Sequence, residues 1–485
     1  MTNGALDRQD SLFYAKTLIV FLFMFGFRLL PPIGVITPVG MQVLGIFIGL
    51  LIGWSSLGII WPSLLGFLAL SFSDITTMQG MLAACFGNDI FMFLLLFFCF
   101  ISLVEQSGLS QFFAGWAISR KVLSGKPWLF NYVLLVAAYV TSFIAGAFAS
   151  MLLLWNIIYS ISEKIGCKPY DKYPTLMILR VTLESALGGV VLPFKGSSIT
   201  LLAAYNAMSG AEINFVRFVC FTIPASLFIL AIYTLICRFV FKVDVQALTG
   251  DVSQSLVNKE DLKLNSYQKC ILLVLIAIII MLMSPSVLPA EWVVTKLLKG
   301  LGMSGTMMVI TIALCILHFN HKPIMDFSKA AKDGIQWEAL IMVSMIIPVA
   351  SFLTADATGI KVWLADLLSP LLLGRSTVVF IALLLFLGML LTNVANNGIV
   401  CIILMSVLVG MAETLRISSA PIAVMLMLYV QVAVATPIAS PFAAILFSNK
   451  GWVKAGDLYK YGTVSSLIIA FAAIIFGICW SNIVF

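Results

Sequence analysis

The chain has few charged residues for its size. Only 10% of its 485 residues are charged, whereas 61% are apolar, and its mean hydropathy is +1.10. So little polar surface cannot solvate a soluble globule of this length, which makes lipid the expected solvent. The longest polar stretch, at 243–269, is too short to bury a core of its own, and we interpret it as a linker.

The sequence also lacks metal, disulfide and catalytic motifs. Its nine cysteines include no Cys-x-x-Cys pair, and its only histidines, His318 and His321, lie where an apolar segment meets a polar loop. Both patterns favour structural roles over a zinc site or a disulfide framework. Neither a His-Glu-x-x-His motif, nor a Gly-x-Ser-x-Gly motif, nor a repeated ion filter is present. We therefore expect neither an enzyme nor a channel, and no cofactor.

Long apolar segments dominate the chain. Placing spans of about 20 residues predicts membrane helices at 12–30, 39–55, 57–72, 87–106, 214–240, 267–284, 302–318, 336–355 and 460–485. Longer segments remain at 128–163, 174–207, 376–412 and 418–447. Their length and their interruptions predict re-entrant hairpins and helices that cross the bilayer as two halves.

The interruptions occur at matching places in the two halves of the chain. The first tip is Ala145-Gly146-Ala147 and the second tip is Thr392-Asn393-Val394. The first break is Leu192–Ser198 and the second break is Thr436–Phe442, each of which contains proline. Such paired interruptions indicate the binding site of a secondary transporter, because unwound backbone offers helix ends and free carbonyls to ions.

The predicted fold is an all-α polytopic membrane protein with inverted repeats, two re-entrant hairpins and two broken transmembrane helices. The predicted regions are N-terminal scaffold helices at 1–82, a first repeat at 83–242 with hairpin 128–163 and broken helix 174–207, a cytoplasmic linker at 243–269, and a second repeat region at 270–485 with hairpin 376–412 and broken helix 418–447.

Basic residues predict the orientation. They are concentrated in the loops of one side, among them Arg120, Lys121, Lys126 and Lys164. By the positive-inside rule, the N-terminus is then cytoplasmic and the C-terminus lies outside. The formal net charge of +7 follows from this topology, so no nucleic-acid partner is expected.

The turn at Gly108-Leu109, and the run Ala439–Phe447 followed by Gly451-Trp452-Val453-Lys454, resemble the divalent anion:sodium symporter family. The resemblance covers nearly the whole chain. Members belong to the ion-transporter superfamily, which includes arsenite permeases, and they carry di- and tricarboxylates or sulfate. The resemblance implies a homodimer in the cytoplasmic (inner) membrane, with a transport domain that moves like an elevator against a scaffold.

In that family, a Ser-Asn-Thr motif at each tip and a Thr-Pro motif in each break hold two sodium ions and the substrate. Here Thr392-Asn393-Val394 keeps a hydroxyl and an amide, and Ala439-Ser440-Pro441 stands at the second Thr-Pro position. Hydroxyl and amide oxygens suit sodium, and the Asn393 amide can donate to a carboxylate. The alternative is that Thr392, Asn393, Asn396 and Asn397 only satisfy one another at a helix end.

The first half-site departs from the family. The first tip has no polar side chain, and Lys195 stands at a glycine of the cation-binding loop, where the internal repeat pairs it with Ala439. A lysine near the membrane centre costs about 2.5–3.5 kcal/mol, so it usually faces a site or a partner. Our hypothesis is that the Lys195 ammonium replaces the first sodium ion, which would free this site from sodium and could link it to protons.

Four alternatives for these charges remain open. Lys195 could snorkel to the interface, or it could pair with Glu184. Arg180 and Glu184, spaced i,i+4, could pair with each other. Glu184 could instead carry a proton.

The sequence thus predicts a secondary active transporter of an organic anion, with a di- or tricarboxylate as first choice. The alternative is a cation/proton antiporter, or a sulfate, arsenite or monocarboxylate permease, of the same superfamily. The predicted substrate-binding residues are Gly146, Ala147, Lys195, Gly196, Ser197, Ser198, Asn393, Val394, Ser440 and Pro441. The predicted sodium-binding residues are Thr392, Asn393, Asn397, Ala439 and Ser440, and the predicted proton or ion-pair residues are Lys195, Glu184 and Arg180.

Overall fold

A computed structural model describes residues 3–120, 123, 125–245, 248, 263–363, 366 and 376–485. Within these residues, nine helices are long and apolar enough to cross a membrane. The strands of the described part are β1 (His318–Phe319) and β2 (Lys322–Pro323), which pair antiparallel. The predicted all-α membrane class is therefore confirmed.

The helices before the first hairpin follow the predicted spans. They are α1 (Asn3–Gly26), α2 (Pro38–Ser56), α3 (Ile60–Ser71), α4 (Met78–Phe86), α5 (Asp89–Gln106) and α6 (Leu109–Ile118). The short α4 was not predicted. It begins where the Thr77 hydroxyl accepts from Gly80 N at 3.2 Å, which satisfies one free donor of its first turn.

The first hairpin consists of α7 (Pro127–Ile144) and α8 (Ala147–Lys164), joined by a non-helical tip of two residues. The first broken helix consists of α9 (Lys172–Gly188) and α10 (Gly196–Ser209), and α11 (Phe215–Leu235) follows it. Both features lie close to the segments predicted at 128–163 and 174–207. Most of the predicted linker at 243–269 lies outside the described residues.

The second repeat has the same order of elements. Its helices are α12 (Ser266–Val287), α13 (Val293–Ile316), α14 (Phe327–Gly334), α15 (Trp337–Thr354), α16 (Thr377–Leu391), α17 (Asn397–Leu415), α18 (Ser419–Tyr429), α19 (Pro441–Ser448) and α20 (Ala455–Val484). α16 and α17 form the second hairpin, and α18 and α19 form the second broken helix. These elements lie close to the segments predicted at 376–412 and 418–447.

The turns that precede the two hairpins are built alike. After α5, Ser107 Oγ donates to Val104 O at 2.6 Å, and Gly108 adopts φ +76°. After α15, Thr358 Oγ1 donates to Ala355 O at 2.7 Å, and Gly359 adopts φ +68°. A left-handed residue is cheap only for glycine, so both turns need it at this position.

The helix α13 begins earlier than predicted. The sequence predicts this helix at 302–318, but it starts at Val293. The prediction began too late because Lys296 and Lys299 lower the hydropathy of the first turns. At Gly302 the backbone leaves helical geometry, with φ +65° and ψ −169°. The Asp89 carboxylate accepts from Met303 N at 3.1 Å and so caps the second part of α13.

The broken helices form the centre of the molecule. Every residue of α9 from Tyr173 to Gly188 is buried, and α9 packs against α7, α8, α11, α19 and α20. α10 packs against α15 and α17. Because α9 and α10 each contact helices of the other repeat, the two tips and the two breaks are held in one region.

Candidate functional site

The first break is a tight backbone turn between α9 and α10. Gly196 adopts φ +58°, and a Cβ added there would lie 2.4 Å from Gly189 O. The Ser198 hydroxyl donates to Val190 O and ties the first turn of α10 back to the break. Only glycine combines this φ with so close a backbone contact, so the turn requires glycine at position 196.

Lys195 is the N-cap residue of α10, and its side chain is only 6% exposed. Its Nζ donates to Phe143 O at 2.8 Å and to Ser142 O at 3.2 Å. Both carbonyls belong to the last turn of α7, where no later amide of the helix reaches them. The ammonium therefore lies against the first tip. It does not extend to the surface, so the predicted snorkelling alternative is wrong.

Arg180 and Glu184 are buried one turn apart on α9, yet within the described residues they form no salt bridge. Arg180 Nη2 instead donates to Thr234 Oγ1 at 2.7 Å. Neither Glu184 oxygen has a hydrogen-bond partner in the described part of the chain. The predicted pairs of Glu184 with Arg180 and with Lys195 are therefore wrong. Arg180 bonds instead to a hydroxyl of α11, and Lys195 bonds to carbonyls of the first hairpin.

The second tip is bound to the second break by side chains. Thr392 Oγ1 donates to Val430 O at 2.8 Å. Asn393 Nδ2 donates to Val432 O at 3.2 Å, and its Oδ1 accepts from Ala435 N at 2.9 Å. Thr392 and Asn393 thus bond to the non-helical residues that follow α18, and not to the other polar residues of the tip.

The second break ends at α19, whose N-cap residue is Ser440. The Ser440 hydroxyl accepts from Ala443 N at 3.1 Å and donates to Ala433 O at 2.9 Å. Ala439 O accepts from Asn397 N at 3.2 Å, which joins the start of α17 to the break. Hydroxyl, amide and carbonyl oxygens therefore lie together around the second tip, and they are the ligand types that hard cations prefer.

A glutamine connects the two half-sites. Asn397 Nδ2 donates to Gln431 Oε1 at 2.7 Å, and Gln431 Nε2 donates to Ser197 Oγ at 3.1 Å. Gln431 is 3% exposed. This chain of bonds brings the predicted residues Ser197 and Asn397, one from each repeat, into a single network.

Two aromatic rings and several exposed residues border this region. Phe148 of α8 stacks on Phe442 of α19 with ring centroids 4.3 Å apart. Gly196, Val394 and Pro441 are exposed. Other predicted residues differ in exposure: Gly146, Ala147 and Ser197 are half-buried, and Ser198, Thr392 and Ala439 are buried. Solvent can therefore reach the residues next to the tips, whereas the residues behind the tips are buried.

The helices α8, α10, α17 and α19 begin at these tips and breaks. The free N–H groups of a helix N-terminus carry a partial positive charge that favours anions. Together with the Lys195 ammonium, they make the region suited to an anion, while the oxygens around the second tip are suited to a cation.

A family model described as "Citrate transporter" (CitMHS) matches residues 47–430 of this chain. The match includes the first hairpin, the first broken helix and the second tip. The chain belongs to the citrate transporter family.

This citrate transporter family member is also similar in fold to the crystal structure of the Alcanivorax borkumensis YdaH transporter, whose topology is described as unusual. The TM-score is 0.56, and the similarity covers 83% of this chain and 87% of that chain at 15% identity. No curated protein sequence matches. The family and the fold confirm the predicted relationship with the divalent anion:sodium symporters. The protein is a multi-pass membrane transporter of anions and not an enzyme.

Two residues of this site were missed from the sequence. Gln431 is an isolated amide in the apolar run Met425–Val434, and that isolation was the available signal. Glu105 lies in the last turn of α5, and its carboxylate lies against Gly146 of the first tip. Nothing in the local sequence connects α5 with the hairpin, so no sequence signal indicated that Glu105 lies at the site.

Proposed function

We propose that this protein is a secondary active transporter of a di- or tricarboxylate, and that it works by an elevator-type alternating-access mechanism. The observation that carries the proposal is the placement of the Lys195 ammonium at the first tip, beside the N-termini of α8 and α10. A fixed positive charge at helix N-termini, in a region of hydrophobic helices, favours a small anion with carboxylate groups.

At the first half-site, Lys195 replaces a sodium ion. The first tip offers only backbone groups and methyl groups, so it has no side-chain oxygen for a cation. Lys195 Nζ binds two backbone carbonyls there, Ser142 O and Phe143 O. Carbonyl oxygens bind a sodium ion or an ammonium group alike, because both are compact positive charges.

At the second half-site, a sodium ion is the co-substrate. Its ligands come from Thr392 Oγ1, Asn393 Oδ1 and Ala439 O, with Asn397 and Ser440 completing the shell. These atoms now accept from or donate to neighbouring backbone groups of the second break. Carbonyl and hydroxyl oxygens have a second lone pair, so they accept a cation with little rearrangement.

The arrangement in the membrane is part of the same proposal. The transporter forms a homodimer in the cytoplasmic (inner) membrane, with the N-terminus inside and the C-terminus outside. The basic residues support this orientation, and the family supports the dimer.

The test of function is uptake of labelled citrate and succinate into proteoliposomes, with sulfate, arsenite and a monocarboxylate as competitors. Lys195→Ala should lower citrate uptake about tenfold or more, because a charged hydrogen bond contributes roughly 1.5–3 kcal/mol. Lys195→Met keeps the length of the side chain and should have the same effect.

The matched control is Lys332→Ala, which removes an exposed lysine from α14. Its citrate uptake should equal that of the wild type. If no anion is taken up by the wild type, or if Lys195→Ala transports citrate normally, the proposal is contradicted.

A cation/proton antiporter is the second candidate, favoured by the buried Glu184 carboxylate, which has no hydrogen-bond partner among the described residues. Such an antiporter would move protons in response to a sodium gradient without any organic anion. A pH-sensitive dye inside the same proteoliposomes distinguishes the two candidates.

A further inference from the structure

Glu105 lies next to the first tip although it belongs to a different part of the fold. It occupies the last turn of α5, which packs against α13, α14 and α15. A Cβ added to Gly146 would lie 2.6 Å from Glu105 Oε1, so the carboxylate touches the backbone of the tip. Glu105 is exposed, so its carboxylate is not enclosed by the tip.

Gly146 is also the N-cap residue of α8, and it supplies no side-chain cap to that helix. The first-turn N–H groups of α8 therefore lack a partner from their own N-cap residue. A carboxylate is the group that such a helix end attracts. Glu105 brings one to this position from outside the hairpin.

Lys195 and Glu105 both lie at the first tip. Lys195 Nζ binds the carbonyls at the end of α7, and the two charges interact electrostatically. They do not form a salt bridge within the described residues. The two opposite charges therefore attract each other without a direct contact.

The two tips differ in the residue at their middle position. At the second tip, the Asn393 side chain fills the corresponding position and bonds to Val432 O and Ala435 N. At the first tip the position is Gly146, and a larger side chain would collide with Glu105. Where the second tip has an amide side chain, the first tip has none, and a carboxylate from α5 lies beside it.

We infer that Glu105 is a tethered carboxylate that occupies the first half-site in the absence of substrate, and that a carboxylate of the substrate displaces it from Lys195 and from the start of α8. This inference rests on the proposed function. It makes Glu105 a residue that sets substrate affinity, since the anion must compete with it for the same positive charge.

The first test is citrate affinity, measured by isothermal titration calorimetry on the purified protein in sodium buffer. Glu105→Gln removes the competing charge and should tighten citrate binding about fivefold or more. Glu105→Asp keeps the charge and should bind more like the wild type. Glu163→Gln, which removes an exposed carboxylate from the far end of α8, should leave the affinity unchanged. Unchanged or weaker binding by Glu105→Gln would overturn the inference.

A second test needs no substrate, so it separates this inference from the proposed function. In ligand-free protein, Glu105→Gln should lower Tm more when Lys195 is present than in a Lys195→Met background, where only the interaction with the start of α8 is lost. Equal shifts in both backgrounds would show that the two charges do not interact, and would refute the inference even if citrate is transported. If the wild type binds no anion, the proposed function fails while this comparison still decides the role of Glu105.

Discussion

Gly196 sets the backbone geometry of the first half-site. It combines a left-handed φ of +58° with a backbone contact to Gly189, and it places Lys195 at the start of α10. The sequence predicted that Lys195 and Gly196 belong to the site, but not which way Lys195 points. That direction depends on carbonyls of α7, some fifty positions earlier in the chain.

We expect Gly196→Ala to destabilise the protein more than Gly210→Ala does. Both glycines are left-handed, with φ +58° and +65°, and this conformation costs an alanine about 1–2 kcal/mol. A Cβ at Gly210 meets nothing within 4 Å, whereas at Gly196 it meets Gly189 O at 2.4 Å. Tm of the two purified variants measures the difference. Equal losses would mean that the break relaxes freely around the added methyl group.

Helices and their interruptions were predicted well because they depend on local composition. Apolar length predicted both hairpins and both broken helices to within a few residues, whereas α4 and α14 were missed, since they are too short to produce a hydropathy signal. The tips differ in a way that composition does not reveal. Two non-helical residues join α7 to α8, and five join α16 to α17.

The cap of α19 gives a prediction for the second half-site. Ser440→Ala removes the hydrogen bonds to Ala443 N and Ala433 O, which should destabilise the protein by about 1 kcal/mol. Because Ala439 and Ser440 are proposed sodium ligands, the variant should also need more sodium to bind citrate.

Ser448→Ala, at the other end of α19, is the matched control because its hydroxyl bonds only to Ile445 O within the helix. It should change neither Tm nor sodium dependence appreciably. Identical behaviour of the two serine variants would rule out a special role for the cap.

At the scale of the whole molecule, the internal repeat was readable from the sequence, but the contacts between repeats were not. Gln431 and Glu105 reach the site from positions distant in the sequence, and only the fold brings them to Ser197 and to Gly146. The two half-sites have diverged in charge. The first has an ammonium and a tethered carboxylate, and the second has neutral oxygens. In our account, this asymmetry leaves a single sodium ion as co-substrate.

The most direct test of this account is the number of sodium ions bound with each substrate molecule. The affinity of the purified protein for citrate is measured by calorimetry over a range of sodium concentrations, with choline keeping the ionic strength constant. By thermodynamic linkage, the slope of log affinity against log sodium concentration gives the number of ions bound together with citrate. We predict a slope of about one, since Lys195 replaces the other ion. A slope of about two would contradict the replacement of sodium by Lys195. A slope near zero would contradict a sodium site at the second tip.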